Sequence, residues 1–287
     1  MKKTVFITGA TSGIGLAVAR LLAAQDCRIL LGGRTAANCD HARQMILADY
    51  PDADLTCFSG DLMLRREVFR IADEVASYLD QTCAGWLDVL INNAGGVRSQ
   101  YATTPEGYEQ TFALNHLAGF LLTWRLMPYL QRAGGRMILT GSYSHRFTRI
   151  HWSDIMLSRH YNLLWAYKQS KLCNLLFAAE FNRRYGDSVR AYVVDPGLVK
   201  TDIGDKHTTG IAHLIWLNRK KQGVPAIVPA QTYSFLCHEN PKPTGLYYHL
   251  CQEQSFSREA GKPDVAARLF AVSEELCGIR FADAAKT

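Results

Sequence analysis

The chain is predicted to be a single α/β domain, a doubly wound parallel sheet in a three-layer α/β/α arrangement. Three observations predict it. Short, often β-branched apolar runs alternate with segments of helical periodicity through the first two-thirds of the chain. Those runs are almost continuously apolar, as expected of strands covered on both faces. A glycine-rich turn joins the first run to the first helical segment.

The apolar runs are Thr4–Thr8, Arg28–Leu31, Leu55–Phe58, Val89–Ile91, Met137–Thr140 and Val189–Val194. Between them lie helical patterns at Ile14–Ala24, Ala36–Ala48, Arg65–Leu79, Tyr108–Leu130 and Leu163–Arg184. No Gly/Ser/Pro linker and no internal repeat divides the chain, so residues 1–287 read as one domain. From about residue 199 to 231 the pattern loosens into a substrate loop or lid. Within it, Thr208–Leu217 is a short apolar stretch, readable as a helix over a pocket or as a packed surface helix. A helix near Ala230–His238, a strand at Gly245–His249 and a helix at Asp264–Leu276 complete the pattern.

Composition narrows the classes. Apolar residues make up 48% and charged residues 20% of 287 positions, which is ordinary for a globular protein with a sizeable core. A net charge of +6 suits an anionic small ligand or a nucleic acid. The basic run Asn218-Arg219-Lys220-Lys221 is not interleaved with aromatics and reads as a solvated loop, so nucleic acid is not an expected partner. Eight cysteines form no Cys-x-x-Cys pair and no zinc spacing, which points to reduced thiols, a cytoplasmic location and no metal site. No apolar run approaches the roughly 20 residues of a membrane span, and no signal peptide is expected before Thr4.

Thr8-Gly9-Ala10-Thr11-Ser12-Gly13-Ile14-Gly15 closes the first strand and opens the first helix. Glycines there permit a tight turn and close approach of backbone to a pyrophosphate, and the helix N-terminus offers free N–H groups. The spacing is Gly-x3-Gly-x-Gly, not the common Gly-x-Gly-x-x-Gly fingerprint, but its place at the first strand–helix junction marks a Rossmann-like dinucleotide site. The second strand ends in Leu31-Gly32-Gly33-Arg34, with an arginine and no acid. An acid there would hold a ribose 2′-hydroxyl, whereas Arg34 would hold a 2′-phosphate, so NADP is favoured over NAD. Asp61 and Leu62 after the third strand, and Asn92, Asn93, Ala94 and Gly95 after the fourth, stand at strand carboxyl ends, where such sheets bind ligands.

Tyr167 and Lys171 are four residues apart in one predicted helix and so share a face. An ammonium beside a phenol favours the phenolate and makes the phenol a better acid near neutral pH. Such a pair can exchange a proton with a carbonyl or alcohol oxygen.

With these pieces in order, the chain resembles the short-chain dehydrogenase/reductase family over nearly its whole length. Thr8–Gly15, Asp61, Asn92–Gly95, Asn115, Ser142, Tyr167, Lys171 and Asp195-Pro196-Gly197 fall in that family's order. The runs 112–123, 167–177 and 266–276 resemble more narrowly its retinol-dehydrogenase branch, which also includes WW-domain oxidoreductase and protochlorophyllide reductase groups. The resemblance implies hydride transfer with Tyr167 as acid or base, and Lys171 lowering its pKa and holding the nicotinamide ribose. It implies that Ser142 binds the substrate oxygen and that Asn115 anchors Lys171 through a water. It also implies that Pro196, Gly197, Val199 and Thr201 line the nicotinamide carboxamide. Relatives often pair through the helices holding Asn115 and Tyr167, so a homodimer or homotetramer is expected.

Three features depart from the family pattern. The interval from Ser142 to Tyr167 is long, as in the retinol-dehydrogenase branch, and leaves Ser144 as an alternative to Ser142. Asp195 replaces the histidine usual before Pro-Gly in that branch. The membrane-anchoring N-terminal segment of many animal members is not seen, which disfavours a membrane-delivered retinoid. Cys173 matches a substrate-side cysteine of protochlorophyllide reductases but is expected to be a core thiol. Tyr143, His145, Phe147, Trp152, Tyr161 and Trp165 in the long interval, with Trp216 in the loop, would wall a pocket for a hydrophobic ketone, aldehyde or alcohol. A catalytically silent nucleotide sensor of the same fold is the alternative, and the intact set Asn115, Ser142, Tyr167 and Lys171 argues against it.

Overall fold

A computed structural model describes residues 2–200, 223–239 and 245–282. The first six strands are β1 (Thr4–Thr8), β2 (Arg28–Gly33), β3 (Asp54–Ser59), β4 (Val89–Asn92), β5 (Arg136–Thr140) and β6 (Arg190–Val194). They alternate with α1 (Gly13–Ala23), α2 (Ala36–Asp49), α3 (Arg65–Thr82), α4 (Gln110–Phe112), α5 (Ala118–Ala133) and α6 (Leu163–Tyr185). Helix α7 (Ile227–His238), strands β7 (Tyr247–His249) and β8 (Gln252–Glu253) and helix α8 (Pro263–Cys277) follow.

The sheet order is β3-β2-β1-β4-β5-β6-β7-β8, parallel through β7. The sheet is thus the expected doubly wound parallel one, and at its far edge a short strand, β8, which the sequence pattern did not suggest, runs antiparallel to β7. The turn between them places Leu250 and Cys251 at φ 49° and 61°, the left-handed pair of a tight hairpin. Neither residue type signals such a turn. Chain order reverses between β1 and β4, which opens a crevice at their carboxyl ends.

Alternate strand residues feed two cores. Val5 and Ile7 face α1 and α7, with Val18, Leu22, Tyr233 and Leu236, while Phe6 faces the opposite layer with Val75 and Phe120. Helix α8 lies on α6, with Phe270 against Phe177 and Phe120, and Phe281 beyond it closes on Phe120 and Phe181. The shared face of α5 and α6, where pairing was expected, is therefore covered by the chain's own C-terminal helix. No described helix is long and apolar enough to cross a membrane.

One helix departs from the periodicity. The segment read as a helix over Tyr108–Leu130 begins at Gln110, capped by the Glu109 carboxylate on the Thr111 and Phe112 amides at 2.7 Å each. It then widens into a π-helical turn at Ala113–Leu117 before α5. Asn115 sits at the centre of that turn.

Candidate active site

The glycine turn forms the floor of the crevice. Gly9 takes φ +66°, and a Cβ there would stand 3.1 Å from the Ala94 Cα, so only glycine lets the β1 and β4 turns pass so closely. The two turns are stitched together. Thr8 Oγ1 accepts from the amides of Asn93 and Ala94 at 3.0 Å each, and the Asn93 side-chain amide donates to the carbonyls of Thr8 and Gly9.

A cleft of about 320 Å³ opens above this floor. Of the expected cofactor residues, Gly9, Thr11, Ser12, Gly13, Ile14, Arg34, Asp61, Leu62, Asn93, Ala94 and Gly95 line it. Gly15 lies just behind, against Asn93. Asn92 also sits behind, since its amide donates to Thr123 Oγ1 at 3.1 Å instead of facing the cleft. Asp61 accepts the Met63 amide at 3.0 Å and shapes the loop after β3. Arg34 is exposed at the rim beside Asn38. The floor of small residues, the open helix N-terminus and the rim cation fit a dinucleotide phosphate chain.

Among the lining residues that escaped sequence reasoning are Asn38, Met63, Arg98 and Lys200. Arg98 donates to Gln110 Oε1 at 2.9 Å and approaches Met63 Sδ at 3.1 Å, and burial pulls its pKa down. Its position three residues after Gly95 was the only available signal.

The catalytic candidates converge beyond Gly95. Lys171 is 3% exposed and its Nζ donates to the Thr140 carbonyl at 2.9 Å, at the end of β5. The same Nζ lies 5.6 Å from the centre of the Tyr167 ring. Burial pushes the Lys171 pKa down to about 8, and the Asp195 carboxylate opposes that fall. Asn115 clasps Gly96, accepting its amide at 2.8 Å and donating to its carbonyl at 3.0 Å, and also donates to Ser170 Oγ at 2.9 Å. A Cβ on Gly95 would crowd Asn115 Oδ1 at 3.1 Å and would touch Lys171 Nζ at 3.7 Å, so glycine gives Asn115 its room there.

Ser142 caps a 3₁₀ turn at Tyr143–Phe147. Its Oγ accepts from the Ser144 amide at 3.2 Å and the Ser144 hydroxyl at 3.0 Å. Its own hydroxyl proton is thereby left to donate elsewhere. Buried His145 donates from Nδ1 to the Ser142 carbonyl at 2.7 Å and accepts the Ser257 amide on Nε2 at 3.1 Å. These two bonds select the neutral Nδ1–H tautomer, and burial lowers the His145 pKa in agreement.

Asp195, at the end of β6, accepts the Tyr247 hydroxyl at 2.7 Å and the Gly197 amide at 2.9 Å. It thus fixes the Pro196–Gly197 turn, and Gly197 has φ +67°. Val199 pairs with Val224. Thr201, Trp216, the run 218–221 and the stretch 208–217 lie outside the described residues.

The aromatic interval divides by role. Tyr143, Phe147 and Trp165 are 56%, 63% and 47% exposed and are available as pocket walls. His145 is buried structure, Trp152 packs under Arg268, and the Tyr161 hydroxyl ties down the Arg98 carbonyl at 2.8 Å. Cys173 is fully buried, and that burial raises its pKa, as expected of a core thiol.

The short chain dehydrogenase family model matches residues 3–211. Retinol dehydrogenase 14 of Mus musculus is 33% identical, aligned over 96% of this chain and 86% of its own length. Retinol dehydrogenase 12 of Bos taurus is 34% identical over 97% and 87%. A crystal structure of an uncharacterised Mycobacterium paratuberculosis protein superposes with a TM-score of 0.76 at 30% identity, covering 98% of this chain and 95% of that one. An alcohol dehydrogenase of Thermococcus sibiricus, complexed with 5-hydroxy-NADP, shares the fold at 19% identity and a TM-score of 0.66, covering 89% of this chain and all of that one. The crevice at the strand reversal and the relatives agree: the chain is a short-chain dehydrogenase of the retinol-dehydrogenase-like branch.

Proposed function

We propose that the protein is an NADP(H)-dependent oxidoreductase that moves a hydride between nicotinamide and a hydrophobic ketone, aldehyde or alcohol, with Tyr167 as general acid and base. The observation that carries this is Lys171, a buried ammonium anchored on the Thr140 carbonyl, held 5.6 Å from the Tyr167 ring and close behind Gly95 of the glycine-floored cleft. A bound dinucleotide would supply or accept the hydride.

Tyr167 gives its phenolic proton to the substrate oxygen during reduction and recovers one during oxidation. Charged Lys171 favours the phenolate that remains. Ser142, whose oxygen already accepts two hydrogen bonds, donates its proton to the same substrate oxygen and stabilises charge growing there. Asn115 holds the Gly95–Gly96 turn against Lys171. Pro196, Gly197, Val199 and Thr201 complete the nicotinamide side.

Arg34 at the rim, with no acid ending β2, supports a 2′-phosphate and hence NADP. Arg98 and Lys200 add positive charge to the same cleft. The exposed rings of Tyr143, Phe147 and Trp165, and relatives named for retinol, support a hydrophobic substrate. We assign the protein to the cytoplasm on its thiol-rich composition, and place any homodimer or homotetramer contact away from the α5–α6 face that α8 covers.

Fluorescence titration of NADPH and NADH on wild type and Arg34→Ala, followed by a carbonyl panel read through cofactor absorbance, tests the proposal. NADPH preference that collapses in the variant, with turnover of bulky carbonyls, supports it. A preference for NADH removes the Arg34 argument. Tight binding without turnover points to a nucleotide sensor.

A further inference from the structure

Two thiols that the reaction does not use lie beneath the adenosine end of the cleft. Cys39, early in α2, is fully buried. Its Sγ packs directly on Gly33, beside Thr11, and lies 3.6 Å from the Phe58 carbonyl. Cys57 is on β3, the outermost strand of the sheet, and pairs in register with Leu31. That register puts Cys57 on the sheet face that α2 covers, in the same core layer as Leu31 and Ile46. Cys39 Sγ, seated against the carbonyl of Phe58, the residue after Cys57, therefore neighbours Cys57 across the α2–β3 seam, and Cys57 is only half-buried.

The chemistry of the two sulfurs differs. The Cys39 S–H held against it, together with the Arg43 guanidinium, draws the Cys57 pKa below its ordinary value despite burial. The hydrogen bond to Cys57 and burial push the Cys39 pKa up. Cys57 on the edge strand is thus the accessible nucleophile and Cys39 the buried resolving thiol.

The structural consequence follows from what α2 carries. Arg34, Thr35 and Asn38 immediately precede Cys39, and Arg34 and Asn38 line the cleft. The Thr35 side chain caps α2 by accepting the Asn38 amide at 3.3 Å. Bonding the sulfurs brings them closer than their van der Waals contact. Cys39 must then leave its seat on Gly33 and draw the first turn of α2 toward β3, carrying Asn38 and the Arg34 rim with it.

We propose that Cys39 and Cys57 form a reversible disulfide site, closed by a peroxide, and that its closure weakens nucleotide binding in the cleft. The Cys57 thiolate attacks a peroxide oxygen, forming a sulfenic acid and releasing hydroxide. The Cys39 sulfur then displaces water from that sulfenic sulfur to form the S–S bond. Two electrons pass from the thiols to the peroxide, and a dithiol returns two electrons and two protons to reopen the bond. By linkage, bound nucleotide opposes closure to the same degree that closure opposes nucleotide.

The cross-link is independent of the cofactor assignment, whereas the nucleotide effect rests on the proposed function. The test oxidises the reduced full chain with stoichiometric hydrogen peroxide, traps remaining thiols by alkylation, and maps peptides without reduction. The expected result is one cross-linked pair, Cys39–Cys57, that dithiothreitol reverses and saturating NADPH slows. NADPH affinity should fall about fivefold or more on closure. Cys57→Ser should neither cross-link nor lose affinity after peroxide. Hydrogen exchange at residues 34–39, compared in reduced and oxidised protein, reads the shift of α2 without any nucleotide. Absence of the Cys39–Cys57 peptide overturns the proposal, as does a cross-link that leaves both exchange and nucleotide affinity unchanged. If the reduced chain binds no nucleotide, the cofactor assignment has failed, and exchange at residues 34–39 alone decides whether closure moves the rim.

Discussion

The two ends of the crevice are built in opposite ways. At the glycine-turn end, which the proposed cofactor would occupy with its adenosine, backbone dominates: Gly9, Gly13 and Gly95 line the cleft, and the Thr8 and Asn93 side chains only lace the turns together. Arg34 stands at its exposed rim. At the nicotinamide end, side chains do the work, and they are buried. Lys171, Asn115 and Asp195 are 3%, 5% and 6% exposed, and each reaches a distant segment: the Thr140 carbonyl, the Gly96 backbone and the Tyr247 hydroxyl. The first end is positioned by local chain geometry. The second depends on distant segments being packed correctly.

The contrast predicts a separation of binding from turnover. Tyr167→Phe should lower kcat by about 100- to 10,000-fold with NADPH affinity retained, as measured by steady-state kinetics beside fluorescence titration. A parallel loss of both would break the division between the two ends. Arg34→Ala should weaken NADPH binding by about tenfold to a hundredfold, the scale of a charge-assisted hydrogen bond, and leave NADH binding and the unfolding midpoint unchanged. A change in NADH affinity would show that the rim supports the floor.

Asn115→Ala should act in the reverse manner. It leaves the Gly96 N–H and C=O without the side chain that satisfies both, at a cost of about 1–3 kcal/mol for each buried group. Urea unfolding should show that loss together with a fall in kcat. An unchanged midpoint would mean that the clasp is not structural.

The smallest expected effect is electrostatic. The folded Lys171 pKa of about 8 lies below its ordinary 10.5. Between those values the unfolded chain binds the extra proton, so this group makes stability rise with pH across that window. As pH falls from 10.5 to about 8, that contribution is lost, because the unfolded amine takes a proton there while the buried one stays neutral, and below about 8 both are charged and the slope ends. Lys171→Met should flatten the rise in a pH series of unfolding curves, and a persisting slope would assign it to another group. Reductive turnover should decline as pH passes the same value and the ammonium beside Tyr167 loses its charge.

The sequence made the adenosine end legible because its signals are contiguous: a glycine turn after one strand, an arginine after the next, an Asn-Asn-Ala-Gly run after the fourth. Strand and helix bounds there agree with the structure to within a few residues, as with Thr4–Thr8 and Ala36–Asp49. Tyr167 and Lys171 were legible because one helical turn joins them. The support beneath them was not. His145 reaches Ser257 and Asp195 reaches Tyr247, pairs 112 and 52 residues apart, and no local pattern announces such contacts. Trp152 and Tyr161 read as pocket walls because aromatic type alone does not tell a wall from a brace. Arg98 was hidden because a lone arginine after a turn ordinarily faces solvent.

The π-helical turn at Ala113–Leu117 has a consequence for insertions and deletions. Such a turn holds one residue more than an α-helix needs to cover the same rise. Removing one residue of 113–117 other than Asn115 would let the hydrogen-bond ladder heal into an uninterrupted helix, so the chain would keep its fold. The flanking turns would keep their phase, and only the positions within the widened turn would change direction. Asn115 would swing off Gly96 while Phe120 and Leu122 stayed in the core, giving a well-folded protein with its clasp undone. A one-codon deletion, usually read as damage to packing, would here redirect the side chains of a single turn.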